Sequence, residues 1–239
     1  MATSIMVNAQ SDVERLARRI LRDLGHRRRT VLKTVGAAST ERAMEGVAEV
    51  TGRLTAAALR SRVPPERVRF RVRLRPRRVR HPRDGAVRDG YRIDVYLVDG
   101  DAEVDTALRS ATFHEGNGFA HVQEEAGVHM DAGAVAAEGG EDVVRRAVMS
   151  AWERIREANG DVIALRLAGI LDEDTPLLSY EMFLGPVEVQ GRRGVRLLVR
   201  RTSLPPLGNG EEEAGEEDAA NVVVPPGVQG VVSDGVPAT

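Results

Sequence analysis

The side chains of this chain best suited to chemistry are arginines. From residue 67 to 75 they alternate with apolar residues: Arg67, Arg69, Arg71, Arg73 and Arg75 fall on one parity, and Val68, Phe70, Val72 and Leu74 on the other. Successive side chains of a strand point to opposite faces, so the pattern predicts a strand with one oily face and one face of guanidinium groups. A guanidinium binds phosphate or carboxylate through paired hydrogen bonds, and each neutralised phosphate also releases counterions. The row therefore suits a polyanion. Arg77, Arg78, Arg80, His81 and Arg83 continue the charge into an expected hairpin tip, stiffened by Pro76 and Pro82. Arg27, Arg28, Arg29 and Lys33 form a second basic cluster. No aromatic residues interleave with these clusters, so contacts to nucleic-acid backbone are expected rather than base stacking.

Other chemistry is sparse. Asn117-Gly118 is a strong signal for a two-residue hairpin turn inside 111–123, and that turn sets His114 opposite His121. Their Cβ atoms would lie about 5 Å apart, close enough for a metal, with His129 or Asp131 as further ligands; an ordinary polar pair is the simpler reading. The spacing matches no metal motif. The chain has no cysteine, which excludes disulfides, thiolate metal sites and cysteine nucleophiles. No phosphate-cradling glycine loop, G-x-S-x-G elbow or H-E-x-x-H occurs, and the acids of "LDEDTP" (171–176) read as a turn. The expectation is a protein that is not an enzyme and takes no cofactor or small-molecule substrate.

The net charge of −2 conceals a segregation. Residues 1–98 hold 23 Lys+Arg against 10 Asp+Glu, residues 99–203 hold 11 against 19, and residues 204–239 hold none against 7. Such a division fits a basic surface for a polyanion, or basic and acidic parts of one assembly meeting each other. Plain surface pairs, for instance with Asp94 and Asp89, contribute only about 0–1 kcal/mol each, too little to require five arginines in a row.

The positioning elements follow from periodicity. "SIMVNAQ" (4–10) reads as a strand. Residues 11–25 read as a helix capped by Ser11 or Asp12 and ended by Gly25, with Leu16, Ala17, Ile20 and Leu24 in its apolar stripe. Residues 30–35 read as a second strand, 40–60 as a second helix closed by Pro64 and Pro65, and 91–99 as a fourth strand after turn material at 81–90. The order is β-α-β-α-β-β. Residues 5–54 resemble the stage V sporulation protein S family of the Alba-like fold. The matching features are Val7-x-Ala9-x-Ser11 leading into a helix, "TVGA" at 34–37, then Ala43, Val47, Ala48 and Gly52. The resemblance implies two helices on one face of the sheet, the arginines on the opposite face or rim, and a hairpin that reaches toward nucleic acid. Glu41-Arg42 stands where the family tends to carry Asn-Gln, and Asn8 and Gln10 replace basic residues before the first helix.

Beyond residue 100 a helix is expected at 141–160, stopped by Asn159-Gly160, with strands at 161–170, 177–185, 187–190 and 194–201. The chain thus reads as α+β: an Alba-like basic domain (1–100), a second α+β unit (101–203), and an acidic Pro/Gly-rich tail (204–239) too poor in apolar residues to fold alone. A diverged repeat of the first domain in the second unit would lack one helix. Glu211, Glu212, Glu213, Glu216, Glu217 and Asp218 of the tail carry the charge to lie over the arginine face and compete with nucleic acid. No signal peptide or membrane-spanning run is evident, so a cytoplasmic, membrane-free protein is expected. DNA or RNA is the expected partner, with self-association as a dimer or higher oligomer. The alternative is a structural subunit of a cellular or viral assembly.

Overall fold

A computed structural model describes residues 2–26, 28–61, 68–80, 85–98, 100–110, 113–115, 125–189 and 191–203. The described chain is a mixed α+β structure. Its elements are β1 (Ala2–Met6), α1 (Val13–Gly25), β2 (Arg29–Lys33), α2 (Ala37–Arg60), β3 (Arg69–Arg80), β4 (Val87–Val98), α3 (Ala102–Ser110), β5 (Phe113–Glu115), β6 (Glu125–Asp131), α4 (Ala132–Ala136), α5 (Glu141–Leu167), β7 (Ser179–Val189) and β8 (Arg192–Thr202). The strands form one eight-stranded sheet ordered β1-β2-β4-β3-β7-β8-β6-β5. The first six elements follow the expected order. The second unit extends the first sheet through antiparallel pairing of β3 with β7, Phe70 opposite Leu184 and Leu74 opposite Tyr180.

The strands of the two halves are arranged alike about that central pair. β1 runs parallel to β2, and β5 parallel to β6. β4 pairs antiparallel with both β2 and β3, as β8 does with β6 and β7. Val72 lies opposite Met182 at the centre, with Pro76 and Pro186 at equivalent distances beyond it. A proline cannot donate to a ladder, and both stand past the residues that pair β3 with β7. The second half thus repeats the strand order of the first. Residues 116–124, between β5 and β6, lie outside the described residues, as do Asn117-Gly118 and His121. The described part of that expected hairpin, β5, pairs parallel with β6, and His114 stands opposite Val128.

One face of the sheet carries α1, α2, α4 and α5, and the short α3 lies on the other. Val68, Phe70, Val72 and Leu74 turn toward them as the alternation requires, and share a core with Leu16, Ile20 and Leu24 of α1, Met44 and Val47 of α2, and Val148, Trp152 and Ile155 of α5. Helices α2 and α5 pack against each other beneath the junction of the halves. Asp12 caps α1, its carboxylate accepting from the Arg15 amide at 2.7 Å. Most of the core is aliphatic, and Tyr91 meets Trp152 edge to face with ring centres 5.7 Å apart.

Three expectations fail. Residues 161–167 are not strand but the last turns of α5, which runs through Asn159-Gly160. Asn159 is no helix stop because its amide is satisfied from outside the helix: Nδ2 donates to the Tyr91 hydroxyl at 2.7 Å, and Oδ1 accepts from the Leu178 amide at 2.6 Å. The true end lies at Gly169, in a left-handed conformation with φ 70°, where the amides of Gly169 and Ile170 bond the carbonyls of Arg166 and Leu165. That is a Schellman closure. The two short strands expected at 177–185 and 187–190 are one, β7, continuous through Pro186. Residues 87–90, read as turn, belong to β4. Helices α3 and α4 were not anticipated from periodicity at all.

Candidate nucleic-acid interface

The odd-numbered arginines of β3 occupy the face away from α1, α2 and α5, and along that face they divide into two environments. Toward the start of β3 they meet acids of the chain's own second half. Arg71 and Arg73 both donate to Oε1 of Glu181 on β7, Arg71 through NH2 at 2.9 Å and Arg73 through Nε at 2.7 Å. Arg200 of β8 donates to the other oxygen, Oε2, at 3.1 Å. Arg71 also lies 3.1 Å from Glu103 and 3.7 Å from Asp101, at the start of α3, and Arg69, 2% exposed, lies 2.7 Å from Asp105. Burial alone pushes the Glu181 carboxyl up; Arg71 and Arg73 outweigh it and hold the group below the usual carboxylate range. Burial likewise opposes ionisation of Asp105, and Arg109 with Arg69 brings it below its ordinary value.

Helix α3 forms over this end because Asp101 accepts from the amides of Glu103 and Val104, and because Val104 and Leu108 find an apolar patch. That patch comprises Tyr96, Val98, Phe183, Val187 and Leu198. The guanidinium groups of Arg71 and Arg200 lie 5.3 and 4.8 Å from the centre of the Phe183 ring, and that of Arg73 lies 5.7 Å from Tyr96. Aromatics do therefore accompany the arginines, but they come from β4 and β7. Farther along, Arg196 donates to the Leu108 carbonyl at 2.8 Å and covers Phe113 at 4.2 Å, closing the end of α3. His129 serves there as an acceptor for Arg196 Nε at 3.4 Å.

Toward the hairpin the balance changes. Lys33, Arg92 and Arg75 stand directly opposite one another across β2, β4 and β3. Neighbouring strands lie about 4.8 Å apart, so three cations share a row about 10 Å long. Like charges directly opposite one another destabilise a sheet. The one carboxylate that β2, β3 and β4 contribute to this face is Asp94, fully buried, at 3.1 Å from Arg92, 3.4 Å from Arg75 and 3.8 Å from Arg29. Arg77 follows Arg75 on the same face, and burial together with the charge of Arg92 pushes its guanidinium below the usual range. Three cations, Arg29, Arg75 and Arg92, thus lie within 4 Å of this carboxylate, Arg75 and Arg92 buried with it, and Lys33 and Arg77 are their half-buried neighbours on the same face.

The remaining expected residues are dispersed. Arg78 points to the helix side, where it pairs with Asp174, close to the Arg166–Asp89 pair at 3.1 Å. Arg28 is exposed in the turn before β2, and Arg29 belongs to the outer face through Asp94. Arg27, Arg67, His81 and Arg83 lie outside the described residues, as does the side chain of Arg80. The sequence reading missed Arg92, which alternation within β4 places on the charged face, and Arg15 and Arg22, exposed on one side of α1. Among the described residues no group of three or more His, Cys, Asp or Glu is placed to hold a metal ion. No helix among them is long and apolar enough to cross a membrane. In comparison with known proteins, no family model, no curated protein and no solved structure matches this chain.

Proposed function

We propose that this protein binds nucleic acid without catalysis, through the phosphate backbone, and that the contact is made by the hairpin end of the charged face. The observation that carries the reading is the in-register row Lys33–Arg92–Arg75 with Arg77 beside it, in which Arg75 and Arg92 are buried and the half-buried Lys33 and Arg77 are the cations with surface left for a phosphate. A phosphate at Lys33 and Arg77 would meet a surface already rich in cations and release counterions on binding. The β-α-β-α-β-β order of the first half, with helices on one face and arginines on the other, is what the resemblance to the Alba-like sporulation protein S family implies, and it supports the same reading. The start of the arginine row serves a different end. It binds the acids of the second half and α3 to the sheet. The test is binding of a short DNA duplex, and of the matching RNA, across a salt series. A fall in log affinity with log salt of slope about −3 to −4 accords with three or four phosphates contacted. A flat response refutes the reading.

A second reading, a subunit of a homo-oligomeric assembly, has its own support. The last turns of α5 and the segment after it expose Ile163, Leu165, Leu167 and Ile170, the last two at 85% and 69%. A contiguous apolar end of this kind is suited to contact with another copy. Mass measurement in solution decides whether self-association accompanies binding.

A further inference from the structure

We propose that the free edge of β1, with the groove between it and α1, receives an extended acidic segment of a partner protein as an added strand of the sheet. This goes beyond nucleic-acid binding and concerns the helix side of the sheet rather than its charged face. β1 stands first in the strand order, with β2 on one side and no strand among the described residues on the other. One hydrogen bond sets the direction of its backbone groups: the Val7 amide donates to the Lys33 carbonyl at 2.9 Å, toward β2. Successive residues of a strand turn their backbone groups to alternate sides, so Thr3 and Ile5 also bond β2, while Ser4 and Met6 offer theirs outward. Edges are usually blunted by charge, proline or a bulge. "ATSIM" holds no charged residue and no proline, its register with β2 is unbroken from Ala2 to Met6, and Met6 is 63% exposed. The opposite edge strand, β5, is three residues long and carries Glu115.

Beside this edge, β1 and the start of α1 line a groove of about 430 Å³. The half-buried Ile5 and the buried Val7 and Leu16 give it an apolar part, and the exposed Arg15 and Arg19 a cationic one. These arginines define the chemistry of the partner. Asp12, which also lines the groove, is engaged in capping α1, and Glu14 holds Arg18 at 3.1 Å and Arg53 at 2.6 Å. Asp23 is buried, 4.0 Å from Arg19, and among the described residues no acid lies within 4 Å of the Arg15 guanidinium. Arg15 and Arg19, one helical turn apart, are separated by about 6 Å along α1, and alternate residues of a strand by about 6.6 Å. Glutamates at every second position of an added strand therefore fall in step with the two guanidinium groups. Backbone hydrogen bonds to the edge supply affinity in such an addition, and alternate side chains select the partner. A second copy of this chain is the poorer occupant, because its β1 holds no acid and would bring its own Arg15 and Arg19 to the same seam.

The probe is a fluorescent peptide, acetyl-Thr-Glu-Thr-Glu-Thr-Glu-Thr-amide, titrated with the full-length protein at low salt and followed by anisotropy. Saturable binding is expected, weakened at least about tenfold when the glutamates are replaced by glutamines, since the paired charges are then lost. Arg15→Gln with Arg19→Gln should lose the same factor. Ser4→Pro tests the edge itself: the Ser4 amide points away from β2, so the change removes a donor to the added strand and no bond to β2. Its affinity should fall at least about tenfold with the thermal midpoint unchanged. Should Ser4→Pro unfold the chain, two versions of the peptide, N-methylated at the threonines or at the glutamates, probe the edge of the native protein, and one of the two should fail to bind. No binding of the glutamate peptide, equal affinity for the glutamine peptide, or native affinity in the double arginine variant overturns the proposal. Undiminished binding by a folded Ser4→Pro chain, or of both methylated peptides, overturns it as well, because the arginines would then attract acid without strand pairing.

Discussion

Arg73 of β3 stands directly opposite Glu181 of β7, and its Nε donates to the Glu181 carboxylate over 2.7 Å. The pair lies on the central ladder that joins the basic half of the chain to the acidic half. Three guanidinium groups share this one buried carboxylate, so it fixes the register of the two halves as well as their charge.

Replacing the carboxylate should therefore cost far more than a surface pair does. Glu181→Gln keeps the shape of the side chain but leaves Arg71, Arg73 and Arg200 around a neutral amide. Breaking one partner of a buried ionic cluster costs about 3–5 kcal/mol. Urea unfolding should show a midpoint lowered accordingly with little change in slope. A loss under about 1 kcal/mol would mean that the cluster is solvated.

The same carboxylate sets part of the acid limb of stability. Its folded value lies below the ordinary one because Arg71 and Arg73 outweigh burial. The contribution is thus complete above the unfolded value, about 4.3, and is lost as pH falls through the lower folded value. Stability measured from pH 6 to pH 3 should fall more steeply in the native sequence than in Glu181→Gln. Equal acid limbs would contradict the assignment.

Gly90 tests the turn that seats α2. A Cβ at Gly90 would lie 2.2 Å from the Thr34 carbonyl oxygen and 3.1 Å from the Val35 Cα, both backbone. Neither is free to move, since the amide of Thr34 bonds the Tyr91 carbonyl at 2.9 Å and its hydroxyl accepts from the Tyr91 amide at 3.0 Å. Gly90→Ala should lower stability by about 1–3 kcal/mol in thermal or urea unfolding. A neutral result would show that the β2–β4 contact is looser than the structure has it.

The apolar end of α5 carries a prediction of its own. Leu167→Ser with Ile170→Ser removes exposed apolar surface and should leave the unfolding midpoint unchanged while lowering the mass found by light scattering. An unaltered mass excludes this end as a self-contact.

Much of the fold was legible because it follows from local rules. The alternation of residues 68–75 fixed which side chains of β3 face the helices, and the stripe Leu16, Ala17, Ile20, Leu24 identified the buried side of α1. The failures arose where distant partners override local preference. Residues 161–167, rich in β-branched and apolar side chains, stay helical because α5 is anchored through Asn159 to Tyr91 and Leu178 and stops only at the left-handed Gly169. Alternation also showed that the arginines share a face, but not what meets them there. Glu181 lies more than a hundred residues away, and only the β3–β7 pairing brings it to Arg71 and Arg73. Arg92 was hidden for the same reason: its row with Lys33 and Arg75 depends on two ladders.

If one row of arginines both joins the halves and meets phosphate, a paired comparison of Arg73 and Arg77 separates the two roles. Duplex DNA affinity and urea stability should be measured together for Arg73→Gln and Arg77→Gln in the full chain. Arg77→Gln should weaken binding and reduce the salt slope by about one, with stability unchanged or improved, because burial and Arg92 already disfavour that charge. Arg73→Gln should instead lower stability and leave the salt slope as it was, because its guanidinium is bound to Glu181. The reverse pattern, with Arg73 governing the salt slope and Arg77 the stability, would contradict the account.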